Sequence, residues 1–238
     1  ETRVLRQADR INIVSDGFLS HVRSKAPQVD VRSFTNGIDD EFLNLDFSTQ
    51  SKKAQSPDLP LIVYAGNIGE GQGLHAIVPQ AAQALEGRAR IRIIGDGGRK
   101  QALADRLQAM QLPNVELLDP VPRQALLEHY READVLFLHL NDYAAFHKVL
   151  PSKIFEYAAT AKSMLAGVGG FAAEFLRKEV AGAEVFDPCD ADGMVEAFET
   201  LEPGAVISRD AFCEKYARAK IMAHMAADIL SLGELRNS

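Results

Sequence analysis

Between Leu61 and Asp187 the chain repeats one pattern: a short, nearly continuous apolar run, then a segment with helical periodicity. The runs are LIVYAG (61–66), ARIRIIGDGG (89–98), VELLD (115–119), DVLFLHL (134–140), SMLAGV (163–168) and AEVFD (183–187). Helical spacing of apolar residues fills 74–86, 99–111, 122–133, 152–161, 171–181 and 190–201. Strands without polar alternation must be covered on both faces, and strands joined through helices run parallel. The expected class is therefore α/β, a Rossmann-like doubly wound parallel sheet of about six strands. Such sheets bind ligands outside the carboxyl ends of their strands. That singles out the loops 66–73, 95–100, 119–122, 139–152 and 167–171.

Outside this core, 1–9 reads as the end of a helix, 10–16 as a short strand, and the next stretch through Lys25 as a helix. Residues 29–43 read as a strand, a turn at Asn36-Gly37 and an acidic segment; 44–60 is polar and reads as a linker; 208–232 reads as one long or broken helix. A 47% hydrophobic content supplies a full core, and the net charge of -7 argues against a general nucleic-acid binder. Cys189 and Cys213 have no Cys or His at ligand spacing, so neither a disulfide framework nor a zinc site is expected, and a reducing compartment fits. No signal peptide and no apolar run of bilayer length is visible. The chain opens on Glu1 directly in a helical pattern, and is expected to be a piece of a longer protein.

The loop GNIGEGQG (66–73) places Gly66, Gly69, Gly71 and Gln72 directly after a strand. Glycines there let backbone approach a ligand closely, which suits phosphate; a flexible turn is the alternative. Gly71-Gln72-Gly73-Leu74-His75-Ala76 also fits the dinucleotide fingerprint, with Asp96 about 20 residues on, so an NAD-dependent oxidoreductase domain is a second alternative. Against it, Gly71 lies five residues beyond Gly66. Gly95 and Asp96 end the next strand, and Arg99 and Lys100 follow at a helix start. Cations there oppose the helix dipole, and a phosphate ligand would account for them. The long loop 141–153 carries Tyr143, Phe146, His147 and Lys148 as pocket-wall candidates, with His147 not favoured as a base. The other five histidines form no ligand set. In LPSKIFEYAATAKSMLAGV (150–168), Pro151 precedes a helix that Ser152 can cap. Ile154, Tyr157, Ala158 and Ala161 form the core stripe; Ser152, Lys153, Glu156 and Thr160 form another. The second stripe offers Lys153 to a phosphate and the Glu156 carboxylate to a ribose diol. The alternative is a surface ion pair between the two.

The ordered series YAGNIGEGQGL, RIIGDGGRKQAL, VELLDPVPRQALLEHYREADVLFL and PSKIFEYAATAKSMLAG resembles the nucleotide-sugar-binding half of family-four glycosyltransferases of the GT-B architecture. The subgroup it most resembles is the bacterial enzymes of O-antigen and capsule assembly, such as the N-acetyl-L-fucosamine transferases. ADRINIVSDGF and VRSFTNGIDDEF extend the likeness over nearly the whole chain. By that resemblance, 1–43 is the end of the N-terminal domain and its connection, 44–60 a linker, 61–207 the nucleotide-sugar-binding domain, and 208–238 a C-terminal helix packed through Phe212, Tyr216, Ala219 and Met222. The implied donor is a nucleoside-diphosphate sugar, most often UDP-linked, transferred with retention, without metal or other cofactor. In the family's motif of Glu, seven residues, Glu, the second glutamate falls on Glu156 and contacts ribose, while the first falls on Lys148. Gln72 likewise replaces a basic residue common in the family. Lys153 is then the residue for the diphosphate, with the N–H groups of Ser152 and Lys153 beside it, and Asp119-Pro120-Val121 matches the stretch whose main chain meets the base. The implied partners are the donor and a glycan or lipid-linked acceptor held mainly by the N-terminal domain, with no nucleic acid. The implied location is cytoplasmic, with peripheral contact at the inner face of the cytoplasmic membrane considered for the full-length protein. The chain alone is expected to bind donor without turning it over. A non-catalytic nucleotide-binding module using the same cleft is the alternative from another functional class.

Overall fold

A computed structural model describes residues 1–45, 47 and 59–236, with side chains through 233. Most of the linker expected at 44–60 falls outside the described residues. The elements begin with α1 (Thr2–Leu5), β1 (Arg10–Ile13), α2 (Leu19–Lys25), β2 (Asp30–Ser33) and α3 (Asp40–Leu43). The alternating core follows: β3 (Leu61–Asn67), α4 (Leu74–Ala84), β4 (Arg90–Asp96), α5 (Lys100–Ala109), β5 (Val115–Leu118), α6 (Arg123–Glu132) and β6 (Val135–His139). It continues through α7 (Lys153–Ala159), β7 (Ser163–Gly167), α8 (Gly170–Glu179), β8 (Ala183–Phe186) and α9 (Ala191–Thr200), and ends in α10 (Asp210–Lys215) and α11 (Arg218–Arg236).

The six core strands form one parallel sheet in the order β5-β4-β3-β6-β7-β8, while β1 and β2 pair separately, also parallel. The strands were legible because the sheet is covered on both faces: every residue of β6 and β7 is buried, as are the first five of β3. Alternate residues feed two cores. Val63, Ala65, Leu136 and Met164 pack with α6, α7, α8 and α10 on one face. Ile62, Tyr64, Val135 and Leu165 pack with α4, α5 and α9 on the other. Strand order reverses between β3 and β6, which opens the crevice where doubly wound sheets take ligands.

Pro79 lies inside α4, where it cannot donate to the His75 carbonyl one turn back. Arg106 of α5 supplies the missing donor at 2.8 Å, so the two helices are locked side by side. The amino-terminal segment is tied to the core by Ile38 N–H to the Tyr216 carbonyl (2.7 Å), the Arg10–Asp228 ion pair (2.8 Å), and Ser15 Oγ donating to the Lys148 carbonyl (2.6 Å). Among the described residues, no helix is long and apolar enough to cross a membrane.

Three local expectations need correction. The carboxyl-terminal helix, expected as long or broken, is broken at Tyr216 and Ala217, where Ala217 forms a bridge with Ile38; its packing stripe is what differs. Phe212 is buried and Tyr216 partly buried, but past the break the helix phase changes and Ala219 is exposed. Thr160, expected on the ligand stripe, is fully buried, with its hydroxyl donating to the Tyr157 carbonyl at 2.7 Å. Ala161, expected within the helix, lies beyond its end at φ 56°. Thr160 is buried because α7 is covered nearly all round: Phe155, off the expected core stripe, is likewise fully buried against Phe175, Phe212 and Tyr216.

Candidate functional site

A cleft of 350 Å³ opens outside the carboxyl ends of β3 and β4. Its floor is Gly66-Asn67 beside Gly95-Asp96, paired in register across the two strands. The backbones are so close that a Cβ on Gly95 would lie 1.9 Å from the Gly66 carbonyl oxygen, at a φ of 153°. Glycine at 95 is thus a requirement of the strand-end geometry. Pro120, Val121 and Leu126 form one wall, and Lys153, from the crossover after β6, stands on the other.

Lys153 is held from below. Its Nζ donates to Glu156 Oε2 at 2.9 Å and to the Tyr130 hydroxyl at 3.1 Å. It also lies 5.9 Å and 5.8 Å from the ring centres of Tyr130 and Tyr157. Tyr157 in turn accepts the Ala65 N–H of β3 at 3.2 Å, coupling α7 to β3. Burial pushes the pKa of both tyrosines up, so they stay neutral under a cation. The ion pair considered from the sequence therefore exists, and its cation lines the cleft.

Arg99 and Lys100 have partners within the chain. Arg99 is bonded to Glu70, and Lys100 to Asp119, so intramolecular carboxylates offset the two cations. The Arg99 guanidinium, and after it the Tyr143 hydroxyl, holds the Glu70 carboxyl below the usual range. Lys100 does the same for Asp119. Ser152 occupies the position before α7, but its side chain makes no capping hydrogen bond, because its backbone is already helical (φ -59°, ψ -29°).

The glycine-rich loop is not a direct strand-to-helix turn. A 3₁₀ turn over Glu70–Gln72 intervenes, and Asp96 folds its carboxylate onto the Gly97 N–H at 2.8 Å. The spacing required by the dinucleotide fingerprint is therefore not formed. Gly71 abuts the Phe146 ring, and Gly69 donates to Gln72 Oε1 at 3.3 Å; these residues shape the loop and do not line the cleft. His147 packs on Gly169 and Gly170 and meets Asp142 at 2.6 Å. Lys148 and Pro151 flank the segment leading into α7, and the Lys148 backbone rests against Gly17.

The structure thus gathers Gly66, Gly95, Asp96, Val121 and Lys153 around one space, with Glu156 attached through Lys153. It adds Asn67, which the strand-end rule reached but did not select, and Tyr130, which no local signal marks. A larger hollow of 460 Å³ lies between the amino-terminal strands and α8, lined by Ser15, Thr35, Phe171, Glu174 and Tyr216 among others. The smaller cleft is the better candidate because it joins two glycine strand ends and a cation at the crevice of the sheet.

The profile of the family described as glycosyl transferases group 1 matches residues 59–202, more than half of the chain. The chain belongs to this family. Its sheet and helices are those of the carboxyl-terminal Rossmann-like domain of GT-B glycosyltransferases. Comparison with curated proteins finds no match. Among solved structures, this glycosyltransferase chain is similar to a glycosyltransferase from Rickettsia africae ESF-5, at TM-score 0.77 and 15% identity, covering 100% of this chain and 67% of that one. It is similar to Anabaena Alr3699/HepE in complex with UDP, at TM-score 0.78 and 14% identity, covering 97% and 66%. It is also similar to the apo form of the lipopolysaccharide outer core galactosyltransferase WaaB, at TM-score 0.70 and 15% identity, covering 94% and 62%. The chain thus spans about two thirds of the length of these structures. At such identities the likeness establishes the fold.

Proposed function

We propose that the cleft binds the nucleoside-diphosphate part of an activated sugar, UDP-linked, and that the whole protein transfers the sugar with retention to a glycan or lipid-linked acceptor in bacterial surface-polysaccharide assembly. The observation that carries the proposal is Lys153 placed over the paired glycine ends of β3 and β4, with Glu156 directly behind it. Family membership and the UDP complex of the Anabaena relative support it.

In this scheme the Val121 wall receives the base, Glu156 takes the ribose hydroxyls, and Lys153 takes the diphosphate. Lys148 and Lys153 stabilise the negative charge that grows on the departing diphosphate, an electrostatic contribution with no metal in the scheme. The acceptor is held by the part of the protein outside this chain, so the chain alone binds donor without turnover. The whole protein works in the cytoplasm, at the inner face of the membrane where a lipid-linked acceptor would be presented.

Calorimetry with UDP and uridine on the unmutated chain and Lys153→Ala tests the assignment. A point charge on phosphate predicts a strong loss for UDP, almost none for uridine, and a UDP–uridine gap that narrows as salt rises. An equal loss for both ligands removes Lys153 from the diphosphate.

A further inference from the structure

His139 ends β6 and is fully buried, yet both of its ring nitrogens are engaged. Nδ1 lies 2.6 Å from the Gln72 carbonyl oxygen, and Nε2 lies 2.9 Å from the Cys189 backbone nitrogen. The Cys189 N–H can only donate, so Nε2 accepts; the ring proton is thereby assigned to Nδ1, which donates to Gln72. The ring has little room to turn. A Cβ on Gly167 would lie 2.3 Å from its Cδ2, and Phe137 and Phe186 stand 6.1 and 6.2 Å away, centre to centre.

Gln72 carries the connection onward. Its Oε1 accepts from Asn67 Nδ2 at 2.7 Å and from the Gly69 N–H at 3.3 Å. Asn67 lines the cleft beside Gly66, Gly95, Asp96 and Lys153. A buried imidazole is thus linked through one residue to a polar side chain on the cleft floor. A second strand of the same network runs through Asn141, which donates to the Gly71 carbonyl (2.8 Å) and the Glu70 carbonyl (3.0 Å) and accepts from Cys189 Sγ (3.0 Å). The bonds from His139 and Asn141 to the glycine-rich loop each span about 70 residues of chain.

We propose that His139 is a positioning residue for the donor site: through the Gln72 carbonyl it fixes the glycine-rich loop, and through the Gln72 side chain it fixes Asn67 in the cleft. The proposal rests on the cleft being the nucleotide site. The loop has four glycines in eight residues, so contacts such as these, together with its 3₁₀ turn, set its path. His139 does not touch the ligand, and its contribution is preorganisation.

Three variants test it: His139→Leu, which keeps bulk but loses both polar ends; His139→Asn, whose amide N–H can replace Nδ1 towards Gln72; and Gln72→Ala. In folded His139→Leu, UDP affinity should fall about five- to tenfold, and amide exchange over 68–72, measured without nucleotide, should quicken while β3 and β4 keep their protection. His139→Asn should restore both readouts to within about twofold, and Gln72→Ala combined with His139→Leu should add little to either alone. A folded His139→Leu with unchanged UDP affinity overturns the proposal, as does one with unchanged exchange. Should that variant not fold, unchanged UDP affinity in Gln72→Ala overturns it. An unmutated chain that does not bind UDP refutes the cleft assignment and removes the donor role of His139 with it; the exchange measurement still decides whether His139 restrains the loop.

Discussion

Acid should destabilise this chain well before its carboxylates are protonated, and His139 sets the size of the effect. Burial lowers the His139 pKa from its ordinary 6.5 to about 4, with the bond to the Gln72 carbonyl only partly opposing the shift. Between those values the unfolded state binds a proton that the folded state refuses, so stability rises with pH there. The contribution is full above pH 6.5 and is lost as pH falls towards 4. Worked from the two values, the loss relative to pH 7.5 is on the order of 1 kcal/mol at pH 5.5 and roughly 2–3 kcal/mol at pH 4.5. Urea unfolding at those three pH values, on the unmutated chain and on His139→Asn, isolates this component. Glu70, Asp119 and Glu179, whose pKa values lie below the usual range, contribute at lower pH and equally in both proteins. The difference between the two proteins should therefore shrink by most of that amount from pH 7.5 to 4.5. A difference that stays flat across the range would refute the reasoning, because it would mean that His139 is protonated as readily folded as unfolded.

Glu156→Ala should weaken UDP binding by about 1.5–3 kcal/mol, the range for hydrogen bonds to a charged group, and Glu156→Gln by less; titration calorimetry reads both. Gly95→Ala should cost roughly 2–4 kcal/mol in denaturant unfolding, because its Cβ would lie 1.9 Å from the Gly66 carbonyl oxygen and the paired strand ends must separate. Phe155→Ala should cost about 3–5 kcal/mol in the same assay, since the ring is fully buried among Phe175, Phe212 and Tyr216.

The sheet was legible in the sequence because burial on both faces leaves an unbroken apolar signature, and β3, β6 and β7 carry it over their length. The position of the cleft followed from the same pattern, since strand ends rich in glycine mark where a ligand can approach. Long-range pairing was not legible. Nothing near Arg99 or Lys100 in sequence announces Glu70, 29 residues away, or Asp119, 19 residues away, yet these partners decide that the two cations are already offset. The same holds for His139, which local inspection leaves as one of five unassigned histidines and which the fold joins to Gln72 and Cys189. Helical periodicity also misjudged α7, because it reports one buried stripe and Phe155 is covered from the other side by α10. Lys153 is the intermediate case: its neighbours Glu156 and Tyr157 lie within one turn of the same helix and were visible, while its bond to Tyr130 of α6 came only with the fold.

The central claim, that the crevice over β3 and β4 is a nucleoside-diphosphate site, is tested most directly by thermal unfolding of the chain with UDP and with NADH, each with and without magnesium. A ligand that binds only the folded state, present at about 100 times its Kd, adds about 2.7 kcal/mol of stability. UDP should raise the midpoint accordingly, with magnesium making little difference, and NADH should leave it unchanged. Stabilisation by NADH and none by UDP would contradict the account.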